Sequence, residues 1–182
     1  YQEFELEIRN KYPLYENIKI DYEIFGGLII MELTNNHLSQ IFNKLSFRDI
    51  LNKNTSNTES NILKFSNNKN KVQKKLIITH IFQNSYIYNL DIINEFDIIK
   101  SVNNRETNTL DEYRKNIKNT IKLDGKKFIK ISTDINKSII VNLDKLLDSE
   151  KDFSKSYKYN ISNLYTFFNK LVKKKNKKKL KK

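Results

Sequence analysis

The chain has 182 residues, 34 of them Lys or Arg against 21 Asp or Glu, for a formal net charge of +13; nine lysines and no acid fall in residues 170–182, which leaves +4 for the first 169. The absence of cysteine excludes disulfides and sulfur-held zinc, and no apolar run nears the roughly 18 residues of a membrane-spanning helix, so a soluble chain is expected. Leu, Ile, Val and Phe together number 58, enough for a sizeable core in one domain of this length, or in one domain plus part of a neighbour.

The chain opens at Tyr1 with neither an initiator Met nor an apolar leader, so the expectation is a piece of something longer. Phe4 to Ile8 alternate apolar and acidic side chains, the period of a strand with one buried face. Pro13, the only proline, marks a linker over 13–21. Ile24-Phe25-Gly26-Gly27-Leu28-Ile29-Ile30-Met31-Glu32-Leu33 reads as a two-glycine turn running into a β-branched strand. His37 to Phe42 suit one or two helical turns, with His37 opening a surface helix. Residues 52–73, rich in Asn, Ser, Thr and Lys, have too little apolar surface to offset the entropy of ordering them and read as a disordered insertion.

Lys75 to Phe82 and Asp97 to Val102 are strand candidates, His80 alternating within the first as a half-buried or surface ring, and Asn103-Asn104 is a turn whose residues tolerate positive φ. Leu110, Tyr113, Ile117 and Ile121 recur at helical spacing behind Thr109, a suitable N-cap, with Asp111 and Glu112 at the positive end of the dipole. Lys127 to Thr133 and Ser138 to Leu143 form a strand pair. Beyond Asp144, Leu146, Leu147, Leu164, Phe167, Phe168 and Leu171 predict helices packed on a sheet edge. The order is that of a small α+β fold. Asp148, Glu150 and Asp152 lack the alternating oxygen ligands and turn glycine of a calcium loop, so a solvated helix face is expected there and no metal or cofactor.

Tyr22-Glu23-Ile24-Phe25-Gly26-Gly27-Leu28-Ile29, the segments KLIITHIFQNSYIYNL and EFDIIKSVNNRETNTLDEYRKNI, and the pair KKFIKIST and KSIIVNLDKLL resemble the second PDZ domain of Deg/HtrA-type serine proteases of the eukaryotic, plant-like branch, over roughly Tyr22 to Ile161. The resemblance implies a PDZ-like β-sandwich or barrel at 22–148 with one groove helix and the last strand of a preceding PDZ domain at 1–12; the apolar spacing and the lysine run add a helical extension at 149–172 and a basic tail at 173–182. It departs from the family pattern at Asn104, often Gly there, and at Glu95-Phe96-Asp97, commonly Gly-Asp.

A PDZ domain binds a peptide as an added strand, with the terminal carboxylate on consecutive backbone N–H groups. The resemblance therefore implies carboxylate binding at Gly26, Gly27 and Leu28, and a groove between the strand edge of Ile29, Ile30 and Met31 and a wall of Thr109, Tyr113 and Ile117. Read without it, the glycines simply allow a turn. The family's proteolysis needs a serine in a glycine-rich oxyanion turn with a histidine base; no serine neighbours Gly26, Gly27 or Gly125, so this segment is expected to be noncatalytic and any protease domain to lie upstream. The implied work is that of a regulatory, oligomerisation and peptide-binding module of a serine endopeptidase in protein quality control, with homo-oligomers and peptide segments as partners. The alternative is a basic adaptor acting through the tail. Nucleic acid is disfavoured because the tail lacks aromatic interleaving; an anionic membrane surface stays open through Phe167, Phe168, Leu171 and Val172 beside it. A solvated terminus ranks first.

Overall fold

A computed structural model describes residues 20–44, 61–67, 70 and 73–179, with the side chains of residue 44 and of residues beyond 172 left out. The expected strand at Phe4 to Ile8, the Pro13 linker and most of the insertion lie outside the described residues. By its internal contacts the chain divides into two units, one of Tyr1–Ile20 and Leu33–Lys74, the other of Asp21–Glu32 and Lys75–Lys182. The expected domain at 22–148 therefore straddles both.

In the first unit, helix α1 (Asn35–Lys44) buries Leu38 and Ile41, three residues apart on one face. His37 is buried too, not a surface residue: its Nδ1 faces the Thr34 N–H at 3.1 Å and Oγ1 at 2.9 Å, a local cap that ties the ring down. Within the segment read as disordered, a helical turn at 61–63 runs into a 3-10 turn at Lys64–Ser66, and Ile62 and Phe65 are buried. Two well-placed apolar side chains are what the average composition of 52–73 conceals.

The second unit is a mixed α/β body around a curled, half-barrel sheet of eight strands, all pairs antiparallel. Its strands are β1 (Glu23–Phe25), β2 (Leu28–Glu32), β3 (Leu76–Ile81), β4 (Ile98–Val102), β5 (Arg105–Glu106), β6 (Ile121–Leu123), β7 (Lys126–Thr133) and β8 (Ser138–Asn142). They run β1-β2-β3-β4-β7-β6, with β5 on β4 and β8 on β7. Alternation decides the faces: Ile129, Ile131, Ile139 and Val141 point inward, while Ile140 between the last two is 59% exposed. In β3, by contrast, Leu76, Ile77 and Ile78 are all buried, so both faces of that strand are covered.

Helix α2 (Leu110–Asn116) begins with a complete capping box: Thr109 Oγ1 accepts from the Glu112 N–H at 3.2 Å, and the Glu112 carboxylate accepts from the Thr109 N–H. Its far end is held by Asn103, in the left-handed region at φ 50°. The Asn103 amide donates to the carbonyls of Asn116 and Ile117 at 3.0 and 3.1 Å, and its Oδ1 accepts from the Lys130 N–H at 2.9 Å. One side chain thus joins the C-terminus of α2 to strand β7. Helices α3 (Leu143–Tyr157) and α4 (Asn163–Lys179) follow. Leu143, Leu146, Leu164, Tyr165 and Phe168 belong to the same apolar core as Phe25, Leu28 and Tyr113, and the Phe168 ring lies 5.5 Å from that of Phe25. A boundary at 148/149 would fall inside α3; these helices are part of the core, not an appendage to it.

Candidate functional site

Gly26 and Gly27 make a two-residue hairpin turn between β1 and β2, with φ of 66° and 87° and Phe25 paired to Leu28. Positive φ at both central positions is what a hairpin whose twist matches its strands requires. Crowding also demands glycine. A Cβ on Gly26 would lie 3.1 Å from Leu146 Cδ2, and one on Gly27 would fall into the Ser85 side chain, 2.8 Å from Oγ and nearer still to its Cβ.

The structure brings the expected groove residues together, but as core. Leu28, Ile30, Tyr113 and Ile117 sit in one buried cluster, so β2 and α2 do face each other. Thr109 is spent as the helix cap, while Ile29 and Met31 are half-buried. The expected open strand edge is absent at Leu28–Ile30: β1 pairs with β2 on one side (Glu23 with Ile30, Ile24 with Ile29) and β3 pairs with it on the other. A strand bonded on both sides has no ladder left at those positions for a ligand. Two glycines between Glu23-Ile24-Phe25 and Leu28-Ile29-Ile30 spell a hairpin in the sequence itself, and so a strand before the turn.

The turn amide is also taken. Gly26 N–H donates to Glu150 Oε2 at 2.8 Å, and Tyr159 Oη donates to Glu150 Oε1 at 2.9 Å. Glu150 is fully buried, not on a solvated helix face. It falls seven residues after Leu143 on the inward stripe of α3, a carboxylate in an apolar register, and that spacing could have disclosed it. Desolvation raises its pKa, opposed by the bonds from Gly26 and Tyr159, while the Glu23 charge raises it further. Burial together with the Glu23 and Glu150 charges pushes the Tyr113 phenol up, and burial with Glu150 does the same to Tyr159, so both stay protonated at neutral pH.

Strand β1 is fastened from the helix side by Arg114. Its guanidinium donates to Asp21 at 2.7 and 2.9 Å, to Glu23 at 2.8 Å and to the Tyr22 carbonyl at 3.0 Å, and these partners, Asp21 first, keep it protonated against the cost of partial burial. Glu23 also accepts from the Ser162 hydroxyl at the start of α4. Tyr22, Glu23, Arg114 and Ser162 line a cleft of about 400 Å³ with Lys118, Asn160 and Asn163. Its charged side chains largely satisfy one another. No family model, curated protein or solved structure matches the chain. Among the described residues no group of three or more His, Cys, Asp or Glu could hold a metal ion, and no helix is long and apolar enough to cross a membrane.

Proposed function

We propose that the unit of Asp21–Glu32 and Lys75–Lys182 is a noncatalytic PDZ-like module of a Deg/HtrA-type serine endopeptidase of protein quality control, and that it works in homo-oligomer assembly with its peptide site filled by its own chain. The single observation behind this reading is the position of β1. It lies along β2 opposite α2, where the resemblance puts a bound peptide, and it is tied there by Arg114 while Glu150 takes the turn amide. A module whose ladder is already complete gains nothing from a second strand at that place. Contacts between copies then serve better than capture of substrate termini.

The test is sedimentation velocity or light scattering of the chain across a concentration series, alongside titration with free C-terminal peptides ending in apolar residues. Self-association with no peptide binding is the expected result. A monomer at every concentration would overturn the assembly role, and if it also bound oligonucleotides in a tail-dependent, salt-sensitive way the basic adaptor would take its place. Saturable binding of a peptide carboxylate to the native chain would overturn the filled groove.

A further inference from the structure

A second cavity, of about 460 Å³, is lined by Ile81, Tyr88, Asp91, Ile93, Asn94 and Glu95 among its residues. Its size is that of an ordinary ligand pocket. Its charge is unusual for this chain: the lining holds two carboxylates and no cation. From Phe82 to Ile99 the sequence has three acids and no Lys or Arg, in a protein of net charge +13. The third of these acids, Asp97, is buried and paired with Lys137 at 3.3 Å. The two that line the cavity are not neutralised in the same way. Asp91 is exposed, and its carboxylate has no hydrogen-bond or ion-pair partner among the described residues. Glu95 uses Oε1 for His80 Nδ1 at 2.5 Å and for the Ile81 N–H at 3.3 Å, which leaves Oε2 unspent.

Aromatic side chains accompany these carboxylates. Tyr88 is 48% exposed at the cavity rim. The His80 ring that Glu95 bonds lies 5.7 Å from Phe82, and Phe82 stacks on Tyr157, itself 45% exposed, at 4.1 Å. Unspent carboxylate oxygens and the exposed Tyr88 ring, in a cavity that Ile81 and Ile93 also line, fit an ammonium group on an apolar stem, through ion pairing, cation–π attraction and contact with the methylenes. Every copy of the chain carries such groups in quantity, since residues 170–182 hold nine lysines and no acid.

We infer that the cavity bounded by Tyr88, Asp91 and Glu95 is a docking site for the lysine-rich tail of a second copy of this chain. The inference rests on the assembly reading above and names the contact that would carry it. Complementarity between an acidic pocket and a basic tail on one polypeptide gives a head-to-tail contact that repeats from copy to copy.

The test uses the full chain and a fluorescent peptide with the sequence of residues 173–182. The peptide should bind, more weakly as salt is raised, and should compete with self-association of the chain. Asp91→Asn combined with Glu95→Gln should weaken both binding and self-association by about tenfold. A charge-matched control, Asp148→Asn with Asp152→Asn, exposed acids elsewhere on the unit, should leave both within about twofold. Equal weakening by the two pairs would reduce the effect to net charge and overturn the inference. Self-association that persists unchanged in the Asp91/Glu95 variant would also overturn it, while leaving the assembly reading standing. Peptide binding to a chain that stays monomeric at every concentration would overturn the second copy as occupant and the assembly reading together.

Discussion

A buried carboxylate that accepts two hydrogen bonds can be held by their geometry or by its charge, and Glu150 allows the two to be separated. Glu150→Gln keeps an acceptor for the Gly26 N–H and can donate its amide to Tyr159 Oη, so it should fall within about 1 kcal/mol of the native protein in urea denaturation. Glu150→Ala leaves the turn amide and the phenol without their partner, and should cost roughly 2–4 kcal/mol. The pH dependence has a definite sign. Because the folded pKa of Glu150 is raised above its ordinary 4.5, its contribution is fully present below that value and is lost as pH rises through the folded pKa; the Gln variant should lack this decline. His37 works in the opposite direction. Burial pushes its pKa from 6.5 down to about 4, so between those limits the unfolded chain binds the extra proton and stability falls as pH falls. The effect amounts to about 3 kcal/mol at most. An imidazole resonance titrating near 4 in the native protein is the expected observation, and a midpoint at 6 or above would contradict the burial argument.

At the scale of elements, much was legible because strands and caps are local. The alternation of Lys127–Thr133 and Ser138–Leu143, and Thr109 as an N-cap, reappear within a residue or so as β7, β8 and the start of α2. β6 was hidden because Ile121 satisfies a helical spacing from Ile117, yet Asp124-Gly125 turns the chain back and pairs Ile121 with Phe128. What a linear reading does not supply is partnership at long range. Asn103 could be read as a turn residue, but not as the bracket between the end of α2 and β7. Two substitutions test that bracket. Asn103→Gly retains the positive φ and loses three side-chain hydrogen bonds, for an expected cost of about 2–3 kcal/mol. Asn103→Ala adds the strain of a left-handed backbone, roughly 1 kcal/mol more. Equal stability of the two variants in urea would mean that the backbone there relaxes and that φ is not enforced.

For the second unit as a whole, the question is what keeps β1 in place, because a three-residue strand joined to its neighbour by two glycines has little intrinsic stability. One polar restraint comes from elements far away in sequence: Arg114 on α2 and Ser162 at the head of α4 both bond Glu23, which is only 6% exposed. No pattern around Tyr22 announces those partners, so the fastening of β1 could not be read from the sequence even where the hairpin could. Arg114→Ala removes four hydrogen bonds to β1 and its approach, and leaves a buried Glu23 carboxylate facing Ser162 without a cation. A cost of about 2–3 kcal/mol is expected, reduced from that of a fully buried pair because Arg114 is partly exposed. The loss should be local before it is global. Backbone amides of β1 and their partners on β2 should exchange with solvent at least about tenfold faster, while those in the β7–β8 pair keep native protection. If the groove reading is right, the same variant should acquire measurable affinity for an extended apolar peptide that the native chain refuses, because β2 then has an edge to offer. Faster exchange without any gain in peptide binding would mean that the space between β2 and α2 is core alone, closed by Leu28, Ile30 and Tyr113 whether or not β1 is tied down.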